Sequence, residues 1–126
     1  LDFNGQAAPY IQYAHVRANS ILKKVSNLPL QISEPGHDLL EEEVALIENL
    51  SQYPGVVQNA ARELKPLHLT NYLYSLAKSF NSFYRQAPVL NAEDQVRDFR
   101  IGLVESSRRV LSSGLSLLGI EAPRVM

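Results

Sequence analysis

Residues 8–24 read APYIQYAHVRANSILKK, and this stretch predicts one helix with two different faces. Pro9 suits the first helical turn, because its fixed φ and its missing N–H match the geometry of that position. Apolar residues recur at helical spacing along one stripe, which must therefore pack against the rest of the chain. The members of this stripe are Ile11, Ala14, Ala18, Ile21 and Val25.

A second stripe of the same helix carries aromatic rings and cations beside the apolar one. Its members are Tyr10, Tyr13, Arg17, Ser20 and Lys24. Rings stack on unpaired bases and cations contact phosphates, so this surface indicates a protein that binds unpaired nucleotides.

Helical spacing continues through the rest of the chain, and no segment alternates long enough to predict a strand. A connection over 27–37 contains prolines and a glycine that interrupt the pattern. Four further helices are predicted at 39–51, 54–64, 66–86 and 92–118, with Asp38 and Asn91 as the N-caps of the first and last of these. We therefore expect an all-α fold, a five-helix bundle.

Particular side chains predict how these helices pack. The fourth helix has the strongest apolar stripe. The second helix has a modest apolar face at Leu40, Val44, Ile47 and Ser51, with Glu43, Leu46 and Leu50 beside them. Gly114 lies inside the fifth helix, which predicts a close helix crossing. Gly119 suits the left-handed residue that ends a helix. The stripe of the fourth helix consists of Leu69, Leu73, Leu76, Phe80 and Phe83.

Composition excludes several classes of function. The 126 residues are 45% hydrophobic, enough for one domain, and contain no cysteine for disulfides, thiolate zinc sites or cysteine nucleophiles. The three histidines lack the spacing of a zinc motif. A net charge of -1 argues against bulk electrostatic binding of nucleic acid but allows a local basic patch.

Catalytic motifs are also missing from the chain. No glycine-rich loop is followed by Lys-Ser or Lys-Thr, and the serine pairs lack a histidine and an acid at a triad spacing. The acidic run Glu41–Glu43 is interpreted as a helix start. Glu41 and Glu48 are interpreted as solvated side chains rather than a catalytic pair. No apolar run approaches the roughly 20 residues of a membrane span, and no secretory signal occurs, so we expect a cytoplasmic protein.

Three segments, in the same order, resemble the anticodon-binding domain of arginyl-tRNA synthetases. Residues 9–17, PYIQYAHVR, are similar to the segment that opens that domain. Residues 73–84, LYSLAKSFNSFY, and 109–120, RVLSSGLSLLGI, resemble two later segments, and the last of them leads to PRVM at 123–126. Together the three segments cover nearly the whole chain.

The resemblance implies the fold of class I aminoacyl-tRNA synthetase anticodon-binding domains and an RNA-binding site. Its residues would be Tyr10, Arg17, Lys23, Tyr84 and Met126, with the closing segment folded back to help form the anticodon pocket. Lys24 is the geometric alternative to Lys23. Tyr13 and His15, although they lie in the motif, are interpreted as packing residues. Some relatives carry an aromatic residue at the position of Pro88.

The resemblance also implies a function for residues 1–126, as the C-terminal domain of a longer synthetase. That domain would bind the anticodon loop of tRNA(Arg), as a monomer that contacts neither membrane nor metal. The catalytic domain, which uses ATP and magnesium, would lie elsewhere in the parent, so we expect no enzyme activity and no cofactor here. The alternatives are a helical protein-protein interaction module and the equivalent domain of cysteinyl-tRNA synthetases.

Overall fold

Five α-helices follow one another in the part of the chain that the structure describes, residues 6–28 and 33–126. The structure is a computed structural model. No strand occurs within those two ranges, which confirms the predicted all-α class. The helices are α1 (Ala8–Lys23), α2 (Glu41–Ser51), α3 (Tyr53–Glu63), α4 (Pro66–Gln86) and α5 (Asp94–Leu117).

Helix α4 lies at the centre of the bundle, because it packs against each of the other four helices. Its predicted apolar stripe is buried along its whole length, from Leu69 to Phe83. The predicted stripe of α1 is buried from Ile11 to Ile21, and it packs against α4 and α5. The shared core is therefore the one that helical spacing predicts.

Side-chain contacts show how the three longest helices run relative to one another. Tyr10 of α1 meets Tyr74 of α4, and further along α1 Arg17 meets Tyr84, so α1 and α4 run parallel. Helix α5 runs the opposite way, because its early residue Arg100 reaches the carbonyl of Pro88, just after α4. The C-terminal halves of α1 and α4 consequently lie side by side.

Gly114 is the point where α5 and α4 approach closely, as its position in the sequence predicts. A Cβ atom built on Gly114 would lie 2.5 Å from Cδ2 and 2.8 Å from Cδ1 of the buried Leu73. Both distances are shorter than carbon atoms tolerate without a shift of the neighbour. A side chain larger than that of glycine would therefore force the buried Leu73 to shift.

Substitution of Gly114 by alanine is expected to lower the free energy of unfolding by about 1 to 3 kcal/mol, because the added methyl group overpacks the core. Gly55 in α3 provides the matched control, since nothing lies within 4 Å of its built Cβ. Gly55→Ala is expected to stabilise the protein by about 0.4 to 1 kcal/mol. Urea denaturation of both variants measures the difference. Equal stabilities would contradict the close crossing.

The end of α5 has the geometry that Gly119 predicts. Gly119 has a φ of 74°, in the left-handed region. Its N–H donates to the carbonyl of Ser116 at 3.0 Å, and the N–H of Ile120 donates to the carbonyl of Leu115 at 2.8 Å. This pair of bonds closes the helix and turns the chain back.

The predicted N-caps of α2 and α5 are wrong. Leu40, not Asp38, precedes α2, because the carboxylate of Glu43 accepts a hydrogen bond from the Leu40 N–H at 3.0 Å and satisfies that end of the helix. Glu93, not Asn91, precedes α5. Asn91 lies inside a turn in which the N–H of residue 92 donates to the carbonyl of residue 89 at 3.3 Å.

The predicted apolar face of α2 is correct only in part, because Leu40, Val44 and Ser51 are exposed whereas the helix buries residues predicted to lie beside them. The buried residues of α2 are Leu46 and the fully buried Glu43. An ion pair explains this orientation of the helix. Oε2 of Glu43 lies 3.2 Å from Nε of the buried Arg100 in α5.

The partly exposed His37 forms a cluster with the buried Glu43 and Arg100. Its Nε2 lies 3.0 Å from both carboxylate oxygens of Glu43, and its Nδ1 lies 2.6 Å from the carbonyl oxygen of Pro35. Both ring nitrogens face acceptor oxygens, and this arrangement favours the protonated imidazole, which donates from both. The bonds to Pro35 and then to Glu43 raise the pKa of His37. Burial raises the pKa of Glu43, but hydrogen bonds from Leu40, Arg100 and His37 outweigh it and hold that pKa below its ordinary value.

Candidate nucleic-acid interface

Arg17 and Tyr84 meet across the seam between α1 and α4. The Cζ atom of Arg17 lies 4.4 Å from the centroid of the Tyr84 ring. Nη1 of Arg17 donates to Oδ1 of Asn81 at 2.8 Å. A ring and a hydrogen bond therefore fix the guanidinium plane from two directions.

Helical spacing on α4 explains why Asn81 and Tyr84 both contact Arg17. They are three residues apart and so share one face of the helix. Asn81 is buried in the seam, whereas Tyr84 is 43% exposed. A ring in this position packs on one side and presents aromatic surface to solvent on the other.

A second aromatic contact lies further toward the start of both helices. The ring centroids of Tyr10 and Tyr74 are 5.0 Å apart, and the ring planes are tilted by 39°. A cavity of about 270 Å³ opens beside these rings, lined also by Gln6, Pro9 and Tyr13. Three of the five side chains that line this cavity are tyrosines.

Tyr74 is a candidate that the sequence reasoning missed. It lies in the second segment of the family resemblance, and it precedes Asn81 and Tyr84 by seven and ten residues. These spacings place all three on one face of α4, next to the stripe of α1 that carries Tyr10 and Arg17. A comparison of the two helical stripes would have found it, once α1 and α4 were paired.

Tyr13 and His15 of the opening motif were both interpreted as packing residues, and the structure treats the two interpretations differently. The packing interpretation of Tyr13 is wrong, because this ring is 56% exposed and lines the cavity beside Tyr10 and Tyr74. The packing interpretation of His15 is confirmed. His15 is buried, and its Nδ1 lies 2.9 Å from the carbonyl oxygen of Pro123. Burial lowers the pKa of His15.

The closing segment of the chain folds back along α1. Carbonyl oxygens of residues 121, 123 and 124 face the side chains of Gln12, His15 and Asn19, at 2.9, 2.9 and 3.5 Å respectively. The segment therefore runs toward the C-terminal end of α1. Met126, two residues beyond the last of these contacts, is 61% exposed.

The side of α1 that contacts the closing segment differs from the side that forms the seam with α4. Asn19 lies about 160° around α1 from Arg17, and Lys23 lies only about 40° from Asn19. The exposed Lys23 is thus on the side of the closing segment, whereas Lys24 lies on the side of Arg17. The structure brings together Tyr10, Arg17 and Tyr84 and leaves Lys23 outside that seam.

Charges beside the seam have both signs. Nζ of Lys78 lies 5.8 Å from the Tyr74 ring. Lys78 and Tyr74 also line a neighbouring cavity of about 500 Å³, whose far side carries Glu41 and Glu42. Within residues 6–28 and 33–126, no three histidine, aspartate or glutamate side chains converge as metal ligands. No helix in those ranges is both long enough and apolar enough to span a bilayer.

Comparisons with known proteins agree with the resemblance seen in the sequence. Residues 11–126 match the family described as the DALR anticodon binding domain. The whole chain is 44% identical, over 133 aligned residues, to 21% of the arginine–tRNA ligase of Thermococcus sibiricus. It is 46% identical to 22% of the corresponding ligase of Methanothrix thermoacetophila. The chain thus spans about a fifth of the length of these relatives.

Solved structures share the fold. The structure superimposes on 22% of the arginyl-tRNA synthetase of Thermus thermophilus with a TM-score of 0.88 and 39% identity, over 99% of the chain. A putative arginyl-tRNA synthetase from Campylobacter jejuni matches 95% of the chain with a TM-score of 0.81. Its 23% identity supports the fold alone. The predicted bundle type is therefore confirmed.

Proposed function

Because the chain belongs to the DALR anticodon-binding domain family, we propose that it binds the anticodon loop of an arginine tRNA. It would do so as the C-terminal domain of a monomeric, cytoplasmic arginine–tRNA ligase. The catalytic domain of that parent would attach arginine to the tRNA with ATP and magnesium. Residues 1–126 would need no cofactor and would supply recognition.

The arrangement of Arg17 and Tyr84 is the observation that supports this proposal most strongly. A base that is splayed out of a loop can stack on the exposed part of the Tyr84 ring, which is worth about 1 to 3 kcal/mol. The Cζ atom of Arg17 lies 4.4 Å from the centroid of this ring, so the guanidinium is beside the stacked base. There its positive charge can contact the phosphate next to that base. Proteins that bind single-stranded RNA commonly combine rings that stack on bases with cations that contact phosphates.

Tyr10 extends the interface along the seam. It lies seven residues before Arg17, or about 10 Å along the helix axis. Its contact with Tyr74 forms a second aromatic platform, so neighbouring bases of one loop would meet one ring each. The family resemblance also assigns Lys23 and Met126 to RNA binding. In this structure they would approach the loop from the side of the closing segment.

Substitution of Tyr10 or Arg17 by alanine is expected to weaken binding of a hairpin that carries the anticodon loop of an arginine tRNA. For Tyr10→Ala, lost stacking predicts about a 5- to 150-fold loss of affinity. Arg17→Ala should also lower the salt dependence, by about 0.7 in the logarithmic slope for one lost phosphate contact on a single strand. Fluorescence anisotropy at several salt concentrations measures both quantities.

Arg62→Ala provides the matched control, because Arg62 is an exposed arginine on α3. It should leave affinity and slope close to those of the unaltered protein. Unchanged binding by both Tyr10→Ala and Arg17→Ala would contradict the proposal and favour a protein partner for the aromatic stripe. Equal binding of a cysteine-tRNA hairpin would contradict the assignment to arginine.

A further inference from the structure

The side-chain amide of Asn81 is oriented by its contact with Arg17. A guanidinium group only donates hydrogen bonds, so the atom that faces Nη1 of Arg17 at 2.8 Å must be the amide oxygen. The amide nitrogen, Nδ2, consequently points away from the guanidinium. A reversed amide would place donor against donor and lose the contact with Arg17.

Nδ2 of Asn81 lies at the surface of the seam. Among the described residues Nδ2 makes no hydrogen bond, and no fully buried side-chain nitrogen or oxygen there lacks a partner. Nδ2 therefore belongs to the 7% of Asn81 that solvent reaches. Nδ2 is thus a hydrogen-bond donor of fixed orientation that solvent reaches beside Arg17 and Tyr84, the two groups of the proposed stacking site.

We propose that Nδ2 of Asn81 donates a hydrogen bond to the edge of the nucleobase that stacks on Tyr84. This inference rests on the proposed function and adds a residue that distinguishes one base from another. Carbonyl oxygens and unprotonated ring nitrogens of bases accept such a bond, whereas amino groups do not. Arg17 holds the amide in its donating orientation before RNA arrives, so little ordering remains to be done on binding.

Asn81→Asp tests this donor, because the carboxylate keeps an acceptor for Arg17, removes the N–H groups and adds one negative charge, for which the control below accounts. We expect at least about a tenfold loss of affinity for the arginine anticodon hairpin, since an acceptor then faces the acceptor of the base. Asn59→Asp introduces the same charge at an exposed asparagine of α3 and serves as the control. Equal losses in the two variants would overturn the inference.

A set of hairpins, each with one loop nucleotide made abasic, separates base reading from a general effect. The penalty of Asn81→Asp should disappear at one loop position, where the contacted base is missing, and persist at the others. A penalty of the same size on every hairpin would overturn the inference, because it would reflect repulsion or distortion alone. Asn81→Ser, which lacks the N–H groups without adding charge, should lose its penalty at the same position.

Failure of the proposed function gives a different result. Unchanged affinity for Tyr10→Ala and Arg17→Ala would remove the RNA ligand, and with it the role of Asn81. Weakened binding by these two variants, together with no position-specific penalty for Asn81→Asp, would retain the function and reject only the donor. Thermal unfolding followed by circular dichroism verifies that each variant folds.

Discussion

Substitution of Glu43 by alanine is expected to lower the free energy of unfolding by about 3 to 5 kcal/mol, the cost of removing one member of a buried ion pair. Glu43 is fully buried and accepts hydrogen bonds from Arg100, His37 and the N–H of Leu40. Without the carboxylate, the buried Arg100 keeps its charge and loses its counterion. Urea denaturation at pH 7 measures this loss.

A double substitution provides the control for Glu43→Ala. Glu43→Leu combined with Arg100→Met replaces both charges by apolar side chains, and such replacements are often neutral or stabilising. We therefore expect the double variant to be more stable than Glu43→Ala. A loss below about 1 kcal/mol for Glu43→Ala would show that solvent reaches the cluster and screens its charges.

Phe80→Ala is the second substitution with a large expected effect, a loss of about 3 to 5 kcal/mol in the free energy of unfolding. Phe80 is fully buried in α4, and its ring centroid lies 6.1 Å from that of Phe83. Because α4 contacts every other helix, the cavity would open in the centre of the bundle, where collapse of one helix cannot fill it. Denaturant unfolding again measures the change.

Leu67→Ala is the matched control on the same helix, because Leu67 is 55% exposed. Its effect should stay within about 0.5 kcal/mol, as for most surface substitutions. Similar losses for Phe80→Ala and Leu67→Ala would contradict the central position of α4. A small loss of unfolding free energy for both variants would mean that residues other than Phe80 stabilise the core.

Local patterns in the sequence predicted the helices and most of their buried faces. The stripes of α1 and α4 depend on spacing along one helix, and each is buried as expected. Gly119 ends α5 because a left-handed residue suits glycine wherever the helix lies. The family resemblance selected Tyr10, Arg17 and Tyr84, and the structure places these three along one seam.

Features that depend on a distant part of the chain were not predictable from local spacing. Two examples are the pairing of Glu43 with Arg100, 57 residues apart, and that of Arg17 with Asn81, 64 residues apart. An acidic residue in the first turn of a helix is predicted from sequence to be solvated. Only the packing of another helix shows that a cation lies next to it. The ion pair with Arg100 therefore explains why α2 buries Glu43 while Leu40 and Val44 stay exposed. The hydrogen bond from the Leu40 N–H to Glu43 explains why the N-cap is Leu40 and not Asp38.

The amino-acid sequence by itself determined the all-α class, the order of the helices and the ring-and-cation stripe on α1, because each arises from side chains within a few turns of one another. Only the tertiary structure decided that Tyr74 and Asn81 join this stripe, that Tyr13 stays exposed and that Lys23 lies on the side of the closing segment. These outcomes depend on the rotation and direction of one helix against another. Packing of all five helices fixes both.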